Sequence, residues 1–179
     1  MSMLDNNPIQ IVDENDTPVG SGTMDDAQLQ GLWHRIAGVV VQDKKTGEFL
    51  LQKVAANPWY SGGLWSITAT GHVDAGESYH VAAARELYEE MGLQGLELVE
   101  FSYYHTERQG FVASKDRIYR RFYKIFFAQA DKSTLTVVPE PAEVEDYAWT
   151  TIEQLRNDDM PTTNTLKRFI EEYVKSGQA

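Results

Sequence analysis

The sequence predicts an α/β (α+β) fold, a mixed β-sheet sandwiched between α-helices. Three features carry that expectation. Apolar runs of strand composition recur at Ile36 to Gln42, Glu48 to Val54, Leu96 to Tyr104, Arg117 to Ala130 and Val144 to Thr150. A helical stretch between Gly71 and Leu93 interrupts them, and it is placed on one side of the sheet. A second helix near the end of the chain, where Leu166, Phe169, Ile170 and Tyr173 recur at helical spacing, is placed on another. With 179 residues, 42% of them hydrophobic and 11% aromatic, the chain can bury a sizeable core and is not of disordered composition. Residues 1–179 are therefore expected to form a single domain.

The elements follow in order. Ile9 to Val12 and Val19 flank the turn-rich Asp13 to Pro18, which reads as a hairpin over about residues 9–20. Ile36 to Gln42 and Glu48 to Val54 flank Asp43-Lys-Lys-Thr-Gly47, a second hairpin with central-strand composition. Asn57 to Gly63 is a loop, and Leu64 to Thr70 a strand leading into the glycine-initiated helical segment. Beyond that segment, a polar tip from Thr106 to Asp116 separates the Leu96 to Tyr104 strand from the Arg117 to Ala130 strand. After Val144 to Thr150 come a short helix from about Ile152 to Arg156 and the terminal helix over about 162–175. The chain contains no repeat, low-complexity run or interdomain linker.

Charge narrows the function classes. There are 27 acidic against 16 basic residues, a net charge of -11, which disfavours a nucleic-acid polymer as partner because phosphate backbones need basic patches. The absence of cysteine excludes disulfides, zinc-thiolate sites and thiol nucleophiles, and fits a reducing compartment. No stretch of ~18 apolar residues spans a bilayer, and the first residues carry Asp5, Asp13, Glu14 and Asp16 where a signal peptide would be basic and apolar. A cytoplasmic protein with no membrane partner is expected.

The chemistry concentrates between Gly71 and Leu93. At about 100° per residue, Glu86 and Glu90 lie roughly 40° apart and Glu89 about 60° to the other side of Glu86, so the three share a helix face. Val81, Ala84, Tyr88 and Met91 lie opposite, with Leu87 at the edge, and are expected to form the core stripe. Glutamates at i+3 and i+4 destabilise a helix by roughly a few tenths of a kcal/mol per pair in water, and more when partly buried. Arg85 can neutralise only part of the cluster. A run of glutamates alone reads as a solvated face, but here all-oxygen ligands without cysteine point to a hard divalent cation, Mg2+ or Mn2+. Gly71, lacking a Cβ, can bring its backbone carbonyl close to such an ion.

This segment fills every position of the pattern G-x5-E-x7-R-E-U-x-E-E-x-G-U, U being aliphatic, with Gly71, Glu77, Arg85, Glu86, Leu87, Glu89, Glu90, Gly92 and Leu93. It resembles the Nudix box. The resemblance implies a Nudix-type hydrolase domain with its box at residues 71–93, built on a Nudix-like mixed sheet. It further implies that Glu86 and Glu90 ligate Mg2+ or Mn2+ with help from Glu89 and the Gly71 carbonyl. Glu77 would orient a metal-bound water or the loop, and Arg85 would pair with a carboxylate. More than one ion is expected with substrate bound. The reaction expected is attack of water on a diphosphate joined to another group X, in a nucleoside diphosphate derivative or a related small phosphorylated compound. Glu89 and Glu143, in the loop Glu140-Pro-Ala-Glu143-Val-Glu145, both stand open as general base; that loop also reads as a solvated acidic one.

Upstream, Ile11-Val-Asp-Glu-Asn-Asp-Thr-Pro-Val-Gly20, Leu32-Trp-His-Arg35, Leu50-Leu-Gln-Lys53, Trp59 through Trp65 and Gly71-His72 look like the isopentenyl-diphosphate isomerase branch of the Nudix superfamily. The likeness spans about Ile9 to Leu155. That branch requires a cysteine where this chain has Thr70, and metal-binding glutamates on the strand corresponding to Arg117 through Ala128, which has none. His34 and His72 match two histidine positions of the isomerase metal site, and a third, near Gln28, is missing. Protonation and deprotonation of an alkene need the acid and base that flank it. The sequence therefore reads as a hydrolase on an isomerase-like frame, the alternatives being an isomerase or a non-catalytic nucleotide-binding module. His72 reads as a loop-structuring residue or a ligand, and His34 as a structural residue.

Substrate contacts are expected from the basic run Arg117, Arg120, Arg121 and Lys124, with Arg121 the leading candidate, and from Trp59 and Gly63 in the loop before Leu64. Alternation puts Arg117, Arg121 and Tyr123 on one strand face and Arg120 and Lys124 on the other, so not all can enter one pocket; a solvated face is the competing reading. Trp59, Tyr60, Trp65, Tyr103 and Tyr104 could stack a base or fill the core. Exposed edges of the N-terminal hairpin or of the Leu96 to Ala130 strands could pair two copies in a homodimer.

Overall fold

A computed structural model describes residues 7–56, 62–112, 115–157 and 160–177. Its strands are β1 (Ile9–Val12), β2 (Pro18–Gly22), β3 (Trp33–Asp43), β4 (Phe49–Val54), β5 (Trp65–Ser66), β6 (Ala69–His72), β7 (Val99–Val112), β8 (Lys115–Ala130) and β9 (Val144–Thr150). The helices are α1 (Met24–Gln30), α2 (Tyr79–Met91), α3 (Ile152–Asn157) and α4 (Asn164–Lys175). The strands join one mixed sheet with β3 as its spine.

Along one edge of β3 runs β8, parallel, from Trp33 opposite Arg120 to Asp43 opposite Ala130. Three antiparallel partners divide the other edge: β1 at Trp33 and His34, β6 from Ile36 to Val39, and β4 at Val41 and Gln42. β9 lies outside β4 and β7 outside β8. Strands buried on both faces carry apolar residues at consecutive positions, as Val39, Val40 and Val41 do. Alternation sends Ala37, Val39 and Val41 into a core shared with Ala82, Ala83, Leu87 and Met91 of α2. Val40, Phe49, Leu51 and Ile125 enter a second core with Leu155 of α3 and Leu166, Phe169 and Tyr173 of α4. The sheet is thus sandwiched between α2 and α4, the expected α+β architecture. Among the described residues, no helix is long and apolar enough to cross a membrane.

Three details differ from the expectation. The strand expected from Leu64 to Thr70 is two strands, because the chain changes partner: β5 pairs with β4, and β6 with β3. Thr68 sits at this fork, fully buried, its hydroxyl accepting from Val41 N at 2.8 Å and donating to Leu50 O at 2.6 Å. One side chain thereby supplies partners to two backbone groups inside the core.

The polar tip expected from Thr106 to Asp116 is instead a continuation of the β7–β8 ladder, from Thr106 opposite Arg121 to Val112 opposite Lys115. Polar residues hold it by cross-strand pairs, including Glu107 with Arg120 at 3.0 Å and Arg108 over the Tyr119 ring at 4.6 Å. Its partner strand also begins later than Leu96, at Val99. Finally, α1 has no counterpart in the sequence reading. Its signals were local: Thr23 caps Asp26 N at 3.1 Å and Gly31 closes the helix in the left-handed region at φ 66°.

Replacing Thr68 by valine keeps the shape and removes both hydrogen bonds. Urea unfolding is expected to show a loss of about 1–3 kcal/mol, the usual range for a buried group left unpaired; an unchanged midpoint would mean that the fork does not depend on this hydroxyl.

Candidate functional site

The buried residues of α2 are Tyr79, Ala82, Ala83, Glu86, Leu87, Glu90 and Met91, a single stripe at i, i+3, i+4 spacing. Glu86 and Glu90 lie at its centre. This corrects the expected division of the helix: Val81, Ala84 and Tyr88 face solvent, and two of the three glutamates face the sheet. Glu89 stays on the exposed side. The apolar count misled because the stripe keeps polar residues where the sheet offers them polar receivers, and because alanines at positions 82 and 83 let the helix come close.

Glu90 Oε2 accepts from Thr70 N at 2.9 Å and from Gln52 Nε2 at 2.7 Å. Glu86 Oε1 accepts from Arg85 Nη1 at 2.8 Å, whereas its Oε2 is buried with no hydrogen-bond partner among the described residues. Gly71 makes the space for that carboxylate. A Cβ on Gly71 would lie 2.0 Å from Glu86 Cδ, inside any tolerable contact, so the glycine is required by the glutamate opposite it.

Arg85 ties the loop to the helix. Its Nε and Nη2 donate to the two oxygens of Glu77 at 3.1 and 2.9 Å, a bidentate fork. Nη2 also donates to His72 O at 2.9 Å, and Nη1 to Glu89 Oε2 at 3.1 Å. Glu77 Oε2 in turn accepts from Asp74 N at 3.0 Å. The arginine thus satisfies the loop carboxylate, and Glu90 receives nothing from it.

Electrostatics separates the acids. Burial, with the Glu86 charge beside it, pushes Glu90 above the usual carboxylate range. Burial also raises Glu86, more than the neighbouring Arg85 lowers it. For Glu77, burial works upward as well, but the Arg85 fork and the Asp74 amide outweigh it and hold the carboxyl low. Two buried carboxylates resisting ionisation, one with an orphaned oxygen, fit a hard cation taking oxygen ligands. Among the described residues, no group of three or more His, Asp or Glu side chains is arranged to hold a metal ion.

The remaining candidates are dispersed. Glu143 lies half-buried in the loop before β9, and that loop is bound to the end of α2 by Val138 N to Met91 O and Glu140 N to Glu90 O, both at 3.0 Å. The acidic loop therefore reaches the box helix. Gly63 takes φ 80° in the β4–β5 connection and donates to Val54 O at 2.8 Å; its backbone conformation, not a close approach, calls for glycine. Trp59 and Tyr60 lie outside the described residues. Tyr104 is buried against Tyr123 at 4.9 Å, and Trp65 packs against the same core, so both serve the interior. Of the basic run, Arg120 pairs with Glu107 and Lys124 with Glu100, while Arg117 and Arg121 are buried. That half of the run is not a solvated face.

Sequence reasoning missed Gln52, whose signal was a polar residue inside the apolar run Phe49-Leu-Leu-Gln52. It also missed the pairing of His34 with Arg121. His34 and His72 are buried and stacked at 5.3 Å, and His34 Nε2 accepts from Arg121 Nε at 3.2 Å. Burial and Arg121 hold the His34 ring down at about 4; burial, with His34, Arg121 and Arg85 nearby, holds His72 well below its ordinary value. Both are neutral.

The raised Glu86 and Glu90 carry a pH signature. A carboxyl whose folded value is raised contributes its full stability below the ordinary value of 4.5 and loses it as pH climbs through the folded value. The metal-free protein is therefore expected to melt several degrees lower at pH 8 than at pH 5, with Mg2+ or Mn2+ recovering more of the loss the higher the pH. Glu90→Gln should flatten that slope; a parent midpoint independent of pH would contradict the burial argument.

Comparison with known proteins places this geometry. The family model for the NUDIX domain matches residues 32–173. The chain is 35% identical over 147 residues to isopentenyl-diphosphate Delta-isomerase 2 of Photorhabdus laumondii, covering 82% of this chain and 78% of that protein. A crystal structure from Deinococcus radiodurans superposes with a TM-score of 0.69 at 17% identity, over 92% of this chain and 97% of the other. The Ap4A hydrolase of C. elegans does so with a TM-score of 0.55 at 23% identity, over 79% and 96%. At those identities the two structures establish the fold. The chain belongs to the Nudix family, in its isopentenyl-diphosphate-isomerase-like branch.

Proposed function

We propose that this protein is a hydrolase that cleaves a diphosphate linkage in a nucleoside diphosphate joined to another moiety, or in a related small phosphorylated compound, using Mg2+ or Mn2+. The observation that carries the reading is the Glu86–Glu90 pair, buried on the sheet side of α2, with an orphaned oxygen over Gly71. Glu86 and Glu90 would hold the metal, with Glu89 and the Gly71 carbonyl completing the set, and more than one ion in the substrate complex. A bound divalent cation supplies charge neutralisation at the diphosphate oxygens and a bound water of lowered pKa. Arg85 fixes Glu77 and the His72 carbonyl, keeping the loop in register with the helix. Glu89, exposed on the same turn, and Glu143, in the loop tied to the end of α2, would be the two candidates to take the proton of the attacking water.

Sequence likeness favours a second reading, isomerisation of isopentenyl diphosphate, because the match to a protein of that name spans most of both chains. That reaction needs an acid and a base on opposite faces of an alkene. Thr70 stands where the cysteine would be, and β8 has no carboxylate from Arg117 to Ala130. These two departures support hydrolysis over isomerisation.

Nucleoside di- and triphosphates, sugar nucleotides, dinucleotides and prenyl diphosphates, each incubated with Mg2+, separate the readings. Phosphate-containing products are expected from at least one, abolished by chelator and reduced at least about 100-fold in Glu90→Gln. Deuterium uptake from solvent into isopentenyl diphosphate, with no phosphate released from any compound, would establish the isomerase instead.

A further inference from the structure

Four arginines of this chain are largely withdrawn from solvent, and three have carboxylates. Arg35 meets Asp16 at 2.6 Å, Arg117 meets Asp25 at 2.6 Å, and Arg85 meets Glu77, Glu86 and Glu89. Arg121, only 9% exposed, has none among the described residues. Its Nε donates to His34 Nε2, and its guanidinium lies 4.9 Å from the centre of the Tyr119 ring. His34 cannot be the counter-ion: its Nδ1 lies 3.0 Å from Leu32 O, which can only accept, so Nδ1 carries the proton and Nε2 is a neutral lone pair. A guanidinium does not deprotonate in proteins. A charge that is buried, permanent and unpaired among the described residues is costly unless an anion completes it.

Position says which anion. Thr70, whose N–H holds Glu90, and His72, whose ring stacks on His34, are two residues apart on β6, a step of about 7 Å along a strand. The His72 ring then lies 5.3 Å from His34, and Arg121 lies 3.2 Å beyond His34 Nε2. Alternation puts His34 and Arg121 on the sheet face away from α2, opposite the carboxylate pair. A diphosphate held at Glu86 and Glu90 would lie across β6 from Arg121, leaving the group attached to it to reach the arginine.

We propose that Arg121, oriented by His34, is a specificity residue that binds an oxyanion carried by the moiety attached to the diphosphate, a phosphoryl or carboxylate group separate from the scissile linkage. The chain supplies a guanidinium fixed beside two stacked, buried histidines. This assignment rests on the reading of the substrate as a diphosphate compound.

The test has an arm that needs no turnover. In chelator, millimolar orthophosphate or acetate is expected to raise the melting temperature of the parent, with chloride at matched ionic strength as control. Whichever ion acts identifies the oxyanion. Arg121→Met should abolish the rise, and without any ion should melt no lower than the parent, since an unpaired charge has been removed. Arg121→Lys should retain part of the rise. No stabilisation of the parent by either ion, equal stabilisation of Arg121→Met, or a marked fall in the melting temperature of Arg121→Met without ions, would each overturn the proposal. With substrates in hand, Arg121→Met should raise KM about 10- to 100-fold more for a compound bearing the extra anion than for its counterpart lacking it. Equal effects on both would also overturn it. If no compound is turned over, the hydrolase reading fails while the ion arm still decides the role of Arg121.

Discussion

Burying two carboxylates four residues apart on one helix face is the constraint around which this half of the molecule is arranged. Glu86 and Glu90 occupy the middle of the stripe that α2 turns to the sheet, where leucines would otherwise pack. Each acid finds a different accommodation. Glu90 is received by the Thr70 amide and by Gln52; Glu86 has one oxygen on Arg85, and room for the other exists because residue 71 has no side chain. Small residues at 82 and 83, the strand change at Thr68 and the glycine at 71 bring the helix, the fork and the edge of β6 into one place. An apolar stripe would have given a more stable helix contact and no site.

The N-terminal hairpin serves the same arrangement from the other end. Gln10 N donates to Val73 O, Ala75 N to Pro8 O, and Gly76 N to Gln10 Oε1, so β1 holds the loop that carries Glu77. The hairpin is itself anchored at Asp16, which adopts φ 62° and is gripped by Arg35, Tyr79 and Tyr103. His72 joins the two faces of the sheet. Its carbonyl is bound by Arg85 on the α2 side, and its ring stacks on His34 on the other, where Arg121 has no carboxylate among the described residues. One short strand thereby links the buried carboxylate pair on one face to the stacked histidines and Arg121 on the other.

The sequence made the sheet-between-helices architecture legible, and the box pattern marked the glutamate cluster that the structure half-buries on α2. What it hid was tertiary. Glu86 and Glu90 read as lying opposite the core stripe because charge ordinarily marks the side away from the core, and only the receivers on β4 and β6, distant in sequence, turn them toward the sheet. The run from Leu64 to Thr70 carries no mark of a change of partner, since the hydroxyl that bridges the fork looks like any strand threonine. The Thr106 to Asp116 segment reads as a loop because its stabilising pairs are cross-strand and polar. Arg121 and His34 lie 87 positions apart, and only the parallel register of β3 with β8 brings them together.

The central claim is that the Glu86–Glu90 pair is held partly protonated until a cation displaces the protons. Calorimetric titration of the metal-free protein with Mn2+ near pH 7, run in two buffers of different ionisation enthalpy, reads this directly. The account predicts release of on the order of one proton per ion bound, lost together with the binding in Glu86→Gln and Glu90→Gln. A heat of binding that is the same in both buffers, or an affinity unchanged in the two variants, would contradict it.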